Sequence, residues 1–116
     1  MNHYNISQTD IDFSIGKNLL DRGYFKESIK FFSELIDYSS KYEDNEMAVL
    51  ILETSYNNRG LALCKIGLST KDKIVFAKGM EDFKKSMSYL RIESMKIWSV
   101  AYSNHIFFNN KQKTSL

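Results

Sequence analysis

Apolar side chains recur along the chain at the spacing of an α-helix. Ile11, Ile15 and Leu19 fall every four residues, with Phe13 and Leu20 widening the stripe, which predicts a helix from about Thr9 to Arg22. Thr9 followed by Asp12 marks its start, with a carboxylate near the positive end of the helix dipole. Gly23 stands where helices commonly end in a left-handed residue. A second stripe of Phe25, Ile29, Phe32 and Ile36 leaves Lys26, Lys30 and Glu34 on the other side and continues to Tyr42. The polar break E-D-N-E from Glu43 to Glu46 supplies capping residues. A third helix starts near Glu46 and is expected to stop near Gly67. Its apolar residues lie on more than one side, which implies contacts with both the preceding and the following helix. The segment L-S-T-K-D-K, residues 68–73, is the strongest loop candidate. A fourth helix from about Lys73 to Leu90 carries Ala77, Met80, Phe83 and Met87 on one face, and a fifth from about Glu93 to Phe108 shows Met95, Trp98, Tyr102 and Ile106. Five helices with short connections make residues 1–116 one all-α domain, with fraying expected at about residues 1–7 and 109–116.

Composition strengthens this picture. With 43% hydrophobic and 14% aromatic residues the chain can build a sizeable core, and such a composition argues against disorder. Pro is absent and Gly is scarce, whereas a strand-and-turn fold needs turn residues at short intervals. A net charge of +2 does not call for a polyanionic partner. A single cysteine, Cys64, excludes an intramolecular disulfide. No apolar run approaches the ~20 residues a membrane span requires, and the first ten residues lack the basic and apolar blocks of a signal peptide. The expectation is a cytoplasmic protein without a membrane association.

Two parts of the chain repeat one another. Gly16, Leu19 and Gly23 have the same spacing as Gly60, Leu63 and Gly67, and Ser28 with Phe32 matches Gly79 with Phe83, a small residue four before a Phe. Where facing side chains are small, two helices can approach closely, and bulky neighbours lock the crossing. Gly16 is therefore expected near Ser28, and Gly60 near Gly79. These residues resemble the tetratricopeptide repeat family, whose unit is an antiparallel helix pair with small and bulky residues in this arrangement. The resemblance covers roughly residues 9–108 as two units plus a final helix, in which Ala101 takes the small-residue place. It implies stacked hairpins forming a short right-handed superhelix. The chain departs from the family pattern in several places. Leu35 replaces a small residue, about seven extra residues lie between Gly67 and Gly79, and the units are forty-four residues apart. Asn104 stands where a bulky residue is usual.

Candidate chemistry is sparse. His3 and His105 have no partners at metal-ligand spacing, and there is neither a P-loop nor a G-x-G-x-x-G motif. Cys64 sits between apolar residues, as a small buried hydrophobe does. The expectation is no enzyme, no metal and no cofactor. Lys71, Lys73, Lys78, Lys84 and Lys85 concentrate in one region, but Asp72, Glu81 and Asp82 interleave with them, which disfavours nucleic-acid binding. The resemblance implies instead a partner protein held in a groove lined by the first helix of each unit. Carried over, the groove residues are Asp10, Phe13, Lys17, Leu20 and Asp21, then Thr54, Asn57, Asn58, Leu61 and Lys65, with Trp98, Tyr102 and His105 from the last helix. An Asn amide both donates and accepts, so Asn57 and Asn58 suit the backbone of an extended peptide. The jobs compatible with this are adaptor, dedicated chaperone, or an immunity protein that neutralises a bacterial toxin, with acidic Glu43, Asp44 and Glu46 facing a basic surface. Ile106, Phe107 and Phe108 mark an apolar patch through which the C-terminal helix would form a homodimer.

Overall fold

A computed structural model describes residues 3–90, 95–96 and 99–116. Five α-helices of 15 residues or more account for most of them: α1 (Ile6–Asp21), α2 (Phe25–Ser39), α3 (Glu46–Thr70), α4 (Lys73–Ser88) and α5 (Val100–Ser115). A 3-10 turn at Ser40–Tyr42 follows α2. The fold is all-α, with no strand among the described residues.

Each helix packs on its neighbour in sequence, and the long α3 touches α1, α2, α4 and α5. The two-sided pattern of α3 reflects this central place. Its buried residues, including Ile51, Ser55, Ala62 and Cys64, point in several directions. Two cores result. Leu20, Phe32, Leu35, Ile51 and Ala62 join α1, α2 and α3, while Cys64, Phe76, Met80, Phe83, Ala101 and Phe108 join α3, α4 and α5. Leu61 packs against both cores and links them.

The turn after α1 is built as the glycine suggests. Gly23 has φ +83°, its N–H donates to the Leu20 carbonyl at 3.0 Å, and the Tyr24 N–H donates to the Leu19 carbonyl at 2.9 Å. This Schellman pairing satisfies carbonyls that the helix end would leave open. The turn after α3 has the same two bonds, Lys71 to Leu68 at 3.4 Å and Asp72 to Gly67 at 2.9 Å, but the left-handed residue is Lys71, at φ 55°. Asp72 then caps α4 by accepting from the Ile74 and Val75 N–H groups.

The expected stop at Gly67 is therefore corrected. Gly67 lies inside α3, and its missing side chain admits Phe76, whose N and Cβ atoms would both lie 2.7 Å from an added Cβ. Close packing, not a turn, explains this glycine. Because Lys71 follows Gly23 by 48 residues, the hairpins correspond one helical turn away from the spacing of the glycines. Gly16, seven residues before its turn residue, abuts Phe31 and Phe32. Cys64, seven before Lys71, abuts Gly79. The meeting of Gly60 with Gly79 is present: a Cβ on Gly60 would lie 2.8 Å from the Gly79 carbonyl oxygen.

Among the described residues, helix extends close to both ends of the chain. Asn5, not Thr9, caps α1 by accepting from the Gln8 N–H at 3.0 Å, and Thr9 is buried with its hydroxyl donated to the Ile6 carbonyl. Tyr4 anchors this start, with its ring 5.4 Å from those of Tyr38 and Tyr42 and its hydroxyl 2.7 Å from Ser39 Oγ. At the other end α5 begins at Val100, where Ser99 Oγ accepts from the Tyr102 N–H, and it runs on to Ser115. The last residue, Leu116, packs against the second core.

Candidate functional site

Glu53, Asn57 and Leu61 are spaced by four on α3 and so share one face, with Thr54 and Asn58 beside them. That face forms the floor of a groove of about 410 Å³. Phe13 and Lys17 of α1, Val100, Ala101 and Asn104 of α5, and Ser86 of α4 complete its lining. The Ser86 hydroxyl donates to the Glu53 carbonyl at 2.7 Å and ties α4 to the floor.

The polar groups here are only partly satisfied by the described residues. Asn104 Nδ2 donates to Asn57 Oδ1 at 3.0 Å, and among the described residues the Asn57 amide N–H groups and the Asn104 side-chain carbonyl have no partner. Asn58 is 7% exposed, its amide opens to the groove, and it has no hydrogen-bond partner among the described residues. Glu53 is half-buried, and its carboxylate likewise has neither an ion-pair nor a hydrogen-bond partner among them. Burial pushes that carboxyl above its ordinary 4.5. Lys17, by contrast, is bound to Asp21 at 2.6 Å on the surface.

Of the residues expected in the groove, Phe13, Lys17, Thr54, Asn57, Asn58 and Leu61 line it. Leu20 is in the core. Asp10 is exposed on α1 outside the lining, and Asp21 reaches it only through Lys17. Lys65 leans away, its Nζ 5.7 Å from the centre of the Phe25 ring. Tyr102 and His105 are half-buried on α5 beyond the lining. Burial first, then Lys84, holds the His105 imidazole below 6.5 against an opposing pull from Glu81. Trp98 lies outside the described residues. The sequence reading missed Glu53, Ser86, Val100, Ala101 and Asn104 as groove residues. Asn104 had left a signal, since an amide stood where a bulky residue was expected.

A larger trough of about 740 Å³ lies between α2, α3 and α4, walled by Ile29, Leu63, Ile74 and Ala77. Its polar floor is closed on itself. Arg59 binds Asp82 through two bonds of 2.8 and 3.0 Å and reaches Ser33 Oγ at 3.2 Å. Burial holds the Asp82 carboxyl above its ordinary range against the lowering pull of Arg59, and the Asp82 bond in turn raises Arg59. The trough holds more space, but the groove holds the unused hydrogen-bonding capacity.

Elsewhere Cys64 Sγ rests 3.7 Å from the Phe76 carbonyl, and burial pushes its thiol up to about 12. Among the described residues no group of three or more His, Cys, Asp or Glu could hold a metal ion, and no helix is long and apolar enough to cross a membrane. The lysine-rich segment divides among different surroundings: Lys84 pairs with Glu81, Lys85 sits over the Tyr89 ring, and Lys73 and Lys78 border the trough. The expected C-terminal patch is smaller than the sequence implied. Ile106 and Phe107 are exposed, but Phe108 is 3% exposed and stacks 5.9 Å from Phe83.

The fold and the groove together define an all-α chain of two helix hairpins and a closing helix, with amides concentrated on one side. No family model, curated protein or solved structure matches this chain.

Proposed function

We propose that this protein is an interaction module of the tetratricopeptide-like kind, acting as an adaptor or dedicated chaperone by holding a segment of a partner protein in the groove between α1, α3 and α5. The observation that carries the reading is the row of side-chain amides on the groove, Asn57, Asn58 and Asn104, of which Asn58 opens to the groove with no hydrogen-bond partner among the described residues. An amide that opens to a groove and is not used within the fold is available to donate to and accept from a ligand backbone. The open amide groups of Asn57 and Asn104 beside it extend the same capacity, and Phe13, Leu61 and Val100 supply apolar contact. An extended peptide offers alternating N–H and C=O groups, which is the pattern that side-chain amides can meet.

The test is capture of partners from the native host by wild type and by the Asn57→Ala, Asn58→Ala double variant, quantified by mass spectrometry. The reading expects one or more partners to be lost selectively while helicity by circular dichroism is unchanged. Equal capture by both proteins would reject it.

A second reading, toxin immunity, draws on the exposed Glu43, Asp44 and Glu46 at the α2–α3 turn, a surface that would steer a basic toxin by charge. Under it, charge reversal at these three residues lowers the association rate and the double amide variant does not. For self-association, the exposed Ile106 and Phe107 remain the candidate patch, and Phe107→Lys would abolish any concentration-dependent dimer seen by light scattering.

A further inference from the structure

We infer that the groove selects a peptide carrying a cationic side chain, arginine or lysine, which docks against Glu53 while the neighbouring backbone is held by Asn58. This rests on the peptide-binding reading above and specifies its ligand. Three features of the site carry it.

The first is the state of the charges. Lys17, the cation of the described lining, is already bound to Asp21, and Lys65 has turned to Phe25. Glu53 is the charged group of the lining without a partner among the described residues. A half-buried carboxylate in that condition loses hydration without gaining a counter-charge, and a ligand cation supplies one. Its raised pKa is the electrostatic mark of the same lack. The second feature is Asn58 on the same floor, whose amide opens to the groove without a partner among the described residues and can hold a ligand backbone. The third is spacing. Glu53 and Leu61 are eight residues apart on α3, or about 12 Å at 1.5 Å per residue, and three to four extended residues at ~3.3 Å each cover that span. A cation at one end and an apolar side chain at the other therefore reach Glu53 and the Leu61–Phe13 surface together.

Two capped tetrapeptides test this: acetyl-Arg-Ala-Ala-Leu-amide, and the same peptide with citrulline, which keeps the shape of arginine without its charge. Amide chemical shifts of the labelled protein are followed as each is added. The inference expects the arginine peptide to move the signals of Glu53, Asn57, Asn58 and Asn104 and to bind about tenfold more tightly than the citrulline peptide, the size of one charge-assisted hydrogen bond. Glu53→Gln, which retains the shape and leaves the fold intact by its amide spectrum, should make the two peptides equal. Asn58→Ala should weaken both by the same factor.

Equal binding of the two peptides at the groove would overturn the charge selection and leave the peptide-binding reading standing. A preference for arginine that survives in Glu53→Gln would also overturn it. If neither peptide moves the groove signals, both the inference and the reading beneath it are rejected.

Discussion

Replacing Gly79 by alanine sets two opposing effects against each other. Gly79 lies inside α4, where alanine is intrinsically favoured over glycine by about 1 kcal/mol. On that basis alone the variant would be more stable. The geometry reverses the sign. A Cβ on Gly79 would lie 2.6 Å from Cys64 Sγ, 2.7 Å from the Gly60 carbonyl oxygen and 2.9 Å from the Cys64 nitrogen. Two of those atoms are backbone of α3, and the third is a fully buried thiol, so the contact is relieved only by moving the helices apart. Overpacking a core in this way costs about 1–3 kcal/mol, occasionally more, and rigid backbone places Gly79→Ala at the upper end. Net of propensity the loss is about 2 kcal/mol, or roughly 8 °C in Tm for a chain of this size. Gly16→Ala is the control. Its Cβ would lie 3.1 Å from Phe31 Cβ and 3.2 Å from the Phe32 ring, a pressure of tenths of an ångström on side chains. Propensity and crowding then nearly cancel, and the expected change is within about 0.5 kcal/mol. Urea and thermal denaturation followed by circular dichroism measure both. A Gly79→Ala protein as stable as wild type, or more so, would refute the α3–α4 approach described here.

Further outcomes follow from the turns, the ion pair and the titrating groups. Lys71→Gly should stabilise the protein by about 0.5–1 kcal/mol because glycine accepts a positive φ without strain, while Gly23→Ala should destabilise it by about 1 kcal/mol; denaturation midpoints decide both signs. Arg59→Met leaves Asp82 buried without its partner and should cost about 3 kcal/mol, much of it regained in the Arg59→Met, Asp82→Leu double variant. A double variant as unstable as the single one would contradict that account. For Glu53, burial raises the folded-state carboxyl above 4.5, so ionisation is penalised in the folded protein alone. The penalty is absent below about pH 4 and complete once pH has risen through the folded value, so Glu53→Gln should melt higher than wild type at pH 7 and equally at pH 4. Cys64, buried and pushed up to about 12, should not react with a thiol reagent until the chain unfolds, which makes its labelling rate a measure of global opening.

The helices were legible because their stripes have a strong period, and Gly23 was legible because its turn chemistry is local. Gly67 was not. A glycine that ends a helix and one that admits a facing Phe look alike in sequence, and only the position of Phe76 separates them. Lys71 gave no sign of its left-handed backbone, since the α3–α4 packing imposes a conformation that lysine does not prefer. The early start of α1 depends on Tyr4 meeting Tyr38 and Ser39, a contact across thirty-five residues that no local pattern carries. In the groove, Asn57 and Asn58 were recognisable as paired amides, whereas Val100 and Ala101 became groove residues through the placement of α5. Lys65, Asp10 and Asp21 share the groove-side helices but not the groove, because position on a helix does not determine where a long side chain turns.

The central claim is that the groove between α1, α3 and α5 is the partner-binding surface. Once a partner segment is in hand, mapping its effect on the amide shifts of the labelled protein tests that claim most directly. The account predicts that the largest changes fall at Phe13, Asn57, Asn58 and Asn104. Changes concentrated at Ile29, Leu63, Ile74 and Ala77 would place binding in the α2–α4 trough and contradict it.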